Sequence, residues 1–159
     1  MRKINTNDLT ADSFSSPKGV FGCVEIQVSE ALGRKAESTD LLERHPFDVS
    51  IVRVSPGLRN WPYHAHSAQW EFYHVLSGSG KVRHDGGTDD LRAGDAFIFE
   101  PNRPHQVIND GKEDLVMYLV ADNPIGSATY YPDSNKYSVR VPDRRILRSE
   151  HLDYWDGEE

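Results

Sequence analysis

Four side chains in this sequence have the types and spacing that transition-metal chemistry uses. His64 and His66 flank a single residue, so on an extended backbone both imidazoles leave the same face, roughly 6.5 Å apart at the backbone. Glu71 follows at the head of a strand-like stretch, WEFYHVLSG, and an intervening turn can bring its carboxylate back across from the pair. His105 heads a later stretch, HQVIND, which an antiparallel barrel can set beside the earlier ones with both strand starts facing one cavity. Three imidazoles and one carboxylate make a nitrogen and oxygen donor set suited to one divalent ion of iron, manganese, nickel, copper or zinc. Each residue also has an ordinary reading: a histidine is commonly a surface or hydrogen-bonded group, and Glu71 can face solvent. Alternation groups Glu71 with Tyr73 and Val75, and Phe72 with His74 and Leu76. It leaves open which face is wet.

Around these four stand candidates for a pocket. If Glu71 points inward so does Tyr73, whose hydroxyl can then donate to a bound ligand or whose ring simply fills space. Arg53, unusual among the apolar neighbours of DVSIVRVSP, can clamp a substrate carboxylate or form a surface ion pair. Trp61 and Tyr63 precede His64 and can wall the pocket, Gln69 can reach the same space, and His74 has the wrong phase for a fifth ligand. Other catalytic chemistries are missing: there is no G-x-S-x-G elbow, no glycine-rich phosphate loop before a helix, and Cys23 has no neighbouring histidine. As the single cysteine, Cys23 can form neither an intrachain disulfide nor a multi-cysteine metal site, and within FGCVEIQV it reads as a small buried thiol.

The elements that must position these residues read as short strands. A polar lead-in ends at Pro17 and Gly19, followed by a period-two stretch around residues 20–28 suited to a strand with one buried face. STDLLERHPF can hold a turn or two of helix capped by Asp40 and stopped by Pro46. From Asp48 the chain is a run of strand patterns broken by turn residues, with Asp85-Gly86-Gly87 and Asp110-Gly111 suited to tight hairpins. Many short strands at this spacing argue for an antiparallel barrel or sandwich. Beyond Pro124 the pattern loosens into aromatics and turn formers such as Pro132 and Pro142, then an acidic end. That segment reads either as a tail packed on the barrel exterior or a dimer partner, or as a flap with Tyr130, Tyr131 or Trp155 touching a ligand.

With 159 residues, one domain spanning residues 1–159 is expected. Eighteen basic residues against 25 acidic ones leave a net charge of −7, and no dense basic cluster offsets it, so nucleic acid and anionic membrane are poor partners. No apolar run approaches the ~20 residues of a membrane span, and MRKINTNDL lacks the apolar stretch of a secretory signal, which gives a cytoplasmic expectation.

The stretch Gly57, His64, His66, Glu71, Gly78 resembles the first motif of the cupin superfamily, with one extra residue between Gly57 and His64. The second motif is matched by Gly94, His105 and Asn109, while Glu100 stands at its proline position and Asn102 at its glycine position, with Pro101 and Pro104 beside them. The resemblance covers residues 57–109 and extends through flanking strands to about residues 20–122. It implies an all-β double-stranded β-helix, a jelly-roll barrel, with a short N-terminal arm and a C-terminal extension over 123–159. It also implies that His64, His66, Glu71 and His105 hold the metal ion inside that barrel, and that the chain pairs as a homodimer. Asn109 reads as a side chain bonded to a neighbouring loop.

Four protein ligands on a six-coordinate ion leave two adjacent positions. That arrangement suits a dioxygenase-type oxidoreductase acting on a small organic substrate, the function expected first. The alternatives are a metal-dependent isomerase or lyase that polarises a carbonyl, and a non-enzymatic small-molecule binding or sensor protein.

Overall fold

The computed structural model describes residues 1–36, 38–140 and 143–158, so Pro142 lies outside the described residues. The strands are β1 (Asp12–Ser15), β2 (Gly22–Gln27), β3 (Phe47–Val54), β4 (Ala65–His66), β5 (Glu71–Ser77), β6 (Ser79–His84) and β7 (Gly87–Arg92). They continue with β8 (Ala96–Phe99), β9 (His105–Ile108), β10 (Leu115–Asp122), β11 (Thr129–Tyr131), β12 (Lys136–Arg140) and β13 (Arg144–Leu147). One short helix, α1 (Val28–Ala31), follows β2. The strands form a six-stranded sheet in the order β1-β2-β3-β10-β5-β8, a three-stranded sheet β7-β6-β9 and a four-stranded sheet β13-β12-β11-β4. The β-rich architecture anticipated from the strand patterns is therefore present. No helix among the described residues is long and apolar enough to cross a membrane.

Strand alternation sorts the side chains. Along β10 every second residue is buried, and register carries the same phase to its neighbours. One row across the inner face of the large sheet aligns Asp48, Ala121, Glu71 and Phe99, and the next aligns Ser50, Leu119, Tyr73 and Phe97. Two further rows hold Val52, Met117 and Val75, then Val54 and Leu115. The inner face thus grades from polar at the start of β3 to wholly apolar at its end. At the apolar end Val82, Leu91 and Val107 of the three-stranded sheet close the core. Each buried Val or Leu there contributes about 1.5–3 kcal/mol relative to exposure.

Gly78 makes the corner at which the chain leaves the large sheet after β5 and enters the small one at β6. Its φ is +81°, and a Cβ there would collide with the Asp114 carbonyl. Only glycine accepts both conditions without strain.

Four local expectations are revised. The lead-in is not wholly irregular, because β1 pairs with β2 from Asp12↔Glu25 to Ser15↔Gly22. The helix expected near Asp40 does not form: Asp40 Oδ1 accepts the Leu42 N–H (2.9 Å) and Asp40 O those of Glu43 and Arg44, hydrogen-bonded turns only, and the Arg44 side chain donates to the carbonyls of Ala36, Ser38, Asn123 and Pro124. Asp110-Gly111 closes no hairpin, since β9 pairs with β6 whereas β10 pairs with β3 and β5. The loosened segment after Pro124 instead folds into β11, β12 and β13, joined to the barrel through β4.

Candidate metal centre

Direct backbone pairing brings two of the four predicted ligands together. His64 and His105 exchange both backbone hydrogen bonds, His64 N to His105 O at 3.1 Å and His105 N to His64 O at 2.8 Å. Their ring centroids stand 4.6 Å apart, and the His66 ring lies 4.9 Å from that of His64 at right angles. Asn102 N donates to His66 O (2.7 Å), tying the turn before β9 to the histidine strand. Asn102 has a φ of +64°, so it supplies the left-handed conformation for which the motif reserves glycine, and Asn tolerates that region. Asn60, fully buried, accepts N–H groups from Trp61 and Val107 and braces the entry loop against β9. Asn109 donates to Val54 and Glu113 carbonyls and accepts from Gly111, the loop-bonding role expected of it.

Ligand-forming atoms of His64, His66 and Glu71 all lie within 4.8 Å of one another, a cluster capable of holding a metal ion. His105 Nε2 joins through Glu71 Oε2 at 2.6 Å, and His66 Nε2 is 3.6 Å from Glu71 Oε1. The outer nitrogens are anchored: His64 Nδ1 meets the Pro62 carbonyl at 2.8 Å, His105 Nδ1 the Arg103 carbonyl at 3.1 Å, and His66 Nδ1 the Thr129 hydroxyl at 3.3 Å. A carbonyl can only accept, so in His64 and His105 Nδ1 carries a hydrogen, while Nε2 of His66 and of His105 is turned toward the carboxylate. This is the pattern by which metal-ligating histidines are oriented.

Burial lowers the His64 pKa to about 4, with Glu71 only partly opposing it, so this imidazole is neutral, the form that binds metal. Burial works against ionisation of Glu71, but hydrogen bonds from His105 and His66 outweigh it and hold the carboxyl well below its usual range. Tyr73 sits beneath the ligands, fully buried, with its ring stacked on Phe97 at 5.0 Å. Its hydroxyl makes long contacts to Glu71 (3.5 Å) and His105 (3.4 Å), and burial and the Glu71 charge raise its pKa well above normal, so it remains a donor. Phe99 stacks flat on His105 at 4.1 Å.

Above the ligands opens a cavity of about 390 Å³, with Ala121 in its floor between Glu71 and Asp48. Glu25, Asp48 and Ser50 form one wall, and Trp61 and Gln69 contribute as expected. The third wall comes from the C-terminal strands through Thr129, Tyr131 and Arg144, so that segment covers the site as a flap does, while Trp155 stays 60% exposed. Burial raises the pKa of Glu25, with the Ser50 hydrogen bond opposing, and likewise that of Asp48, with Arg34 opposing.

Arg53 corrects one expectation. Strand alternation buries Val52 and Val54 and sends Arg53 outward, where it is 56% exposed at the side chain and faces Asp114 at 3.6 Å. Tyr63 is buried under the Arg83 guanidinium (3.8 Å to the ring centre) and does not line the cavity. Sequence reasoning passed over Glu25, Asp48 and Arg144. For the first two the signal was phase: Glu25 alternates with Cys23, and Asp48 and Ser50 with Val52 and Val54, polar groups on an otherwise apolar face.

Comparison with known proteins follows this geometry. A cupin domain model matches residues 50–121. An oxalate decarboxylase of Arthroderma benhamiae is 32% identical over 74 residues, covering 44% of this chain and 17% of that protein. The chain therefore spans less than a fifth of the length of the curated relatives it matches. Among solved structures, a sugar phosphate isomerase of the cupin superfamily from Silicibacter pomeroyi superposes with a TM-score of 0.77 at 19% identity, covering 96% of this chain and 98% of that one. A "predicted oxalate decarboxylase" from Thermotoga maritima gives a TM-score of 0.63 at 18% identity, over 77% of this chain and 100% of that one.

These relatives are named for lyase and isomerase chemistry, which overturns the expectation of a dioxygenase-type oxidoreductase. That expectation rested on two open metal positions, and such positions serve carbonyl polarisation equally well. The ligand set does not select between them; the groups around it do. The paired motifs, the antiparallel barrel that joins them, the inward His64–His66–Glu71 cluster and the domain match agree: residues 50–121 match a cupin domain, and the chain has the double-stranded β-helix type of fold.

Proposed function

We propose that this protein is a metal-dependent isomerase or lyase acting on a small oxygen-rich carbonyl or carboxylic compound, with His64, His66, Glu71 and His105 as ligands to one divalent ion of iron, manganese, nickel, copper or zinc. The observation that carries this reading is the inward convergence of anchored imidazoles and a buried carboxylate beneath a cavity whose facing wall holds Glu25 and Asp48. When bound, the ion supplies Lewis-acid polarisation of a substrate oxygen. The protein's own groups do the rest. Glu25 and Asp48, with pKa values raised by burial, take and return a proton at a substrate carbon or oxygen. Trp61 and Tyr131 narrow the mouth and limit water, and Tyr73 holds the Glu71 carboxylate in place from below. Oxalate and sugar phosphate, the substrates in the names of the relatives, both carry neighbouring carbon–oxygen groups of the kind such a site orients.

The test is metal analysis of protein purified without added metal, joined to turnover assays on hydroxycarbonyl and dicarboxylic compounds with and without oxygen. The expected result is one transition-metal ion per chain, lost in a folded His105→Ala variant, and turnover independent of oxygen. Protein that takes up no ion, or that binds these compounds without converting them, would overturn the proposal.

A second copy of the chain is proposed as partner. The outer face of the large sheet exposes Phe72 (37%) and Ile98 (55%), paired across β5 and β8, with Phe47 (51%) and Leu76 (45%) also exposed on the sheet. An exposed apolar sheet face of this kind marks an association surface.

A further inference from the structure

A second cavity, of about 300 Å³, adjoins the first and shares His66, Gln69, Thr129 and Arg144 with it. Four arginines line it, Arg34, Arg44, Arg140 and Arg144, and no aspartate or glutamate does among the described residues. That is unexpected in a chain of net charge −7. Arg34 pairs with Glu30 and with Asp48 at 3.1 Å. Arg44 spends its donors on four backbone carbonyls, which fix the guanidinium without cancelling its charge. Arg144 is held at one end by Nε donating to Ser138 Oγ at 3.0 Å, which leaves the fork of terminal nitrogens to meet a ligand. The Ser127 hydroxyl lines the same cavity, buried and without a hydrogen-bond partner, and such a group calls for one.

Resting on the function proposed above, we propose that this second cavity binds a phosphate monoester, the anionic end of a substrate whose oxygen-bearing end faces His64, His66 and Glu71. Arginines come from two sides, the loops following α1 and the paired strands β12 and β13. Donors from several directions match a tetrahedral dianion, whereas a planar carboxylate is served by a single fork. Low-dielectric walls around the guanidinium groups of Arg44 and Arg144, which are held by neutral acceptors, focus the field on an incoming anion. The shared residues place the bound phosphate next to the metal ligands, so the two cavities together measure a phosphorylated hydroxycarbonyl compound and disfavour a small dicarboxylate such as oxalate.

The experiment titrates inorganic phosphate calorimetrically into chelator-treated protein, into His105→Ala, and into Arg144→Gln, Ser127→Ala and Arg53→Gln, with folding checked by circular dichroism. Saturable phosphate binding is expected without metal and in His105→Ala, weakened about 10- to 100-fold by Arg144→Gln, as loss of a charge-assisted contact implies. Ser127→Ala should weaken it less, and Arg53→Gln should leave it unchanged. Should Arg144→Gln fail to fold, Arg144→Lys and Ser127→Ala carry the comparison. Binding that needs metal, that survives Arg144→Gln undiminished, or that is matched by oxalate at equal concentration would overturn the inference. Because His105 lines neither cavity, loss of metal uptake in His105→Ala and loss of phosphate binding in Arg144→Gln report separately on the two proposals.

Discussion

Cys23 lies on the inner face of β2, 5% exposed, two residues before Glu25. Burial, with the Glu25 charge adding to it, pushes its thiol up to about 12. The thiolate is the nucleophile, so the native protein should resist a thiol reagent at pH 8 and take up one equivalent once unfolded. Rapid labelling of folded protein would contradict the structure. At this scale the sequence was most legible where residue types are scarce. His64, His66, Glu71 and His105 stood out because few side chains bind transition metals and their spacing was informative. Glu25, Asp48 and Arg144 did not, because acids and arginines are common on surfaces and only their facing distinguishes them. Arg53 shows the converse: an odd residue among apolar neighbours that alternation turns harmlessly to water.

Among the elements, strands with strict alternation were read with little error, since β3, β5 and β10 each bury one face. Three places were not. The segment 129–147 lacks a periodic apolar face, and its strands are held by backbone pairing to β4 and by stacking of Tyr130 on Tyr137 at 4.7 Å. The turn at Asp110-Gly111 joins two different sheets, which local turn preference cannot reveal. The helix expected near Asp40 gives way to long-range bonds from Arg44. The corner at Gly78 offers the sharpest check on how elements are joined. Gly78→Ala forces an L-residue to positive φ against the Asp114 carbonyl, at a cost of at least about 2 kcal/mol. That corresponds to a fall of about 4–8 °C in melting temperature for a chain of this length. An unchanged melting temperature would mean that the corner relaxes in a way the register between β5 and β10 does not allow.

For the molecule as a whole, the apolar outer face of the large sheet predicts a solution mass twice the 18.0 kDa of one chain, measurable by light scattering. Ile98→Lys, on the edge strand β8 beside Phe72, should return the monomer with metal content intact, because Glu71 points from the opposite face of that sheet and the three histidines lie outside it. A dimer that persists through this change, or a wild-type monomer, would remove this surface as the interface.

The contact between His66 and Thr129 is also a seam between two stretches with different duties. On one side lies the barrel segment that matches a cupin domain, residues 50–121, which carries the cluster capable of holding an ion. On the other lies the ribbon that supplies Thr129, Tyr131 and Arg144 to the mouth. Such a division lets the ribbon behave as an exchangeable cassette: diversification there can retune which molecule is admitted while the ion's cradle is inherited unaltered.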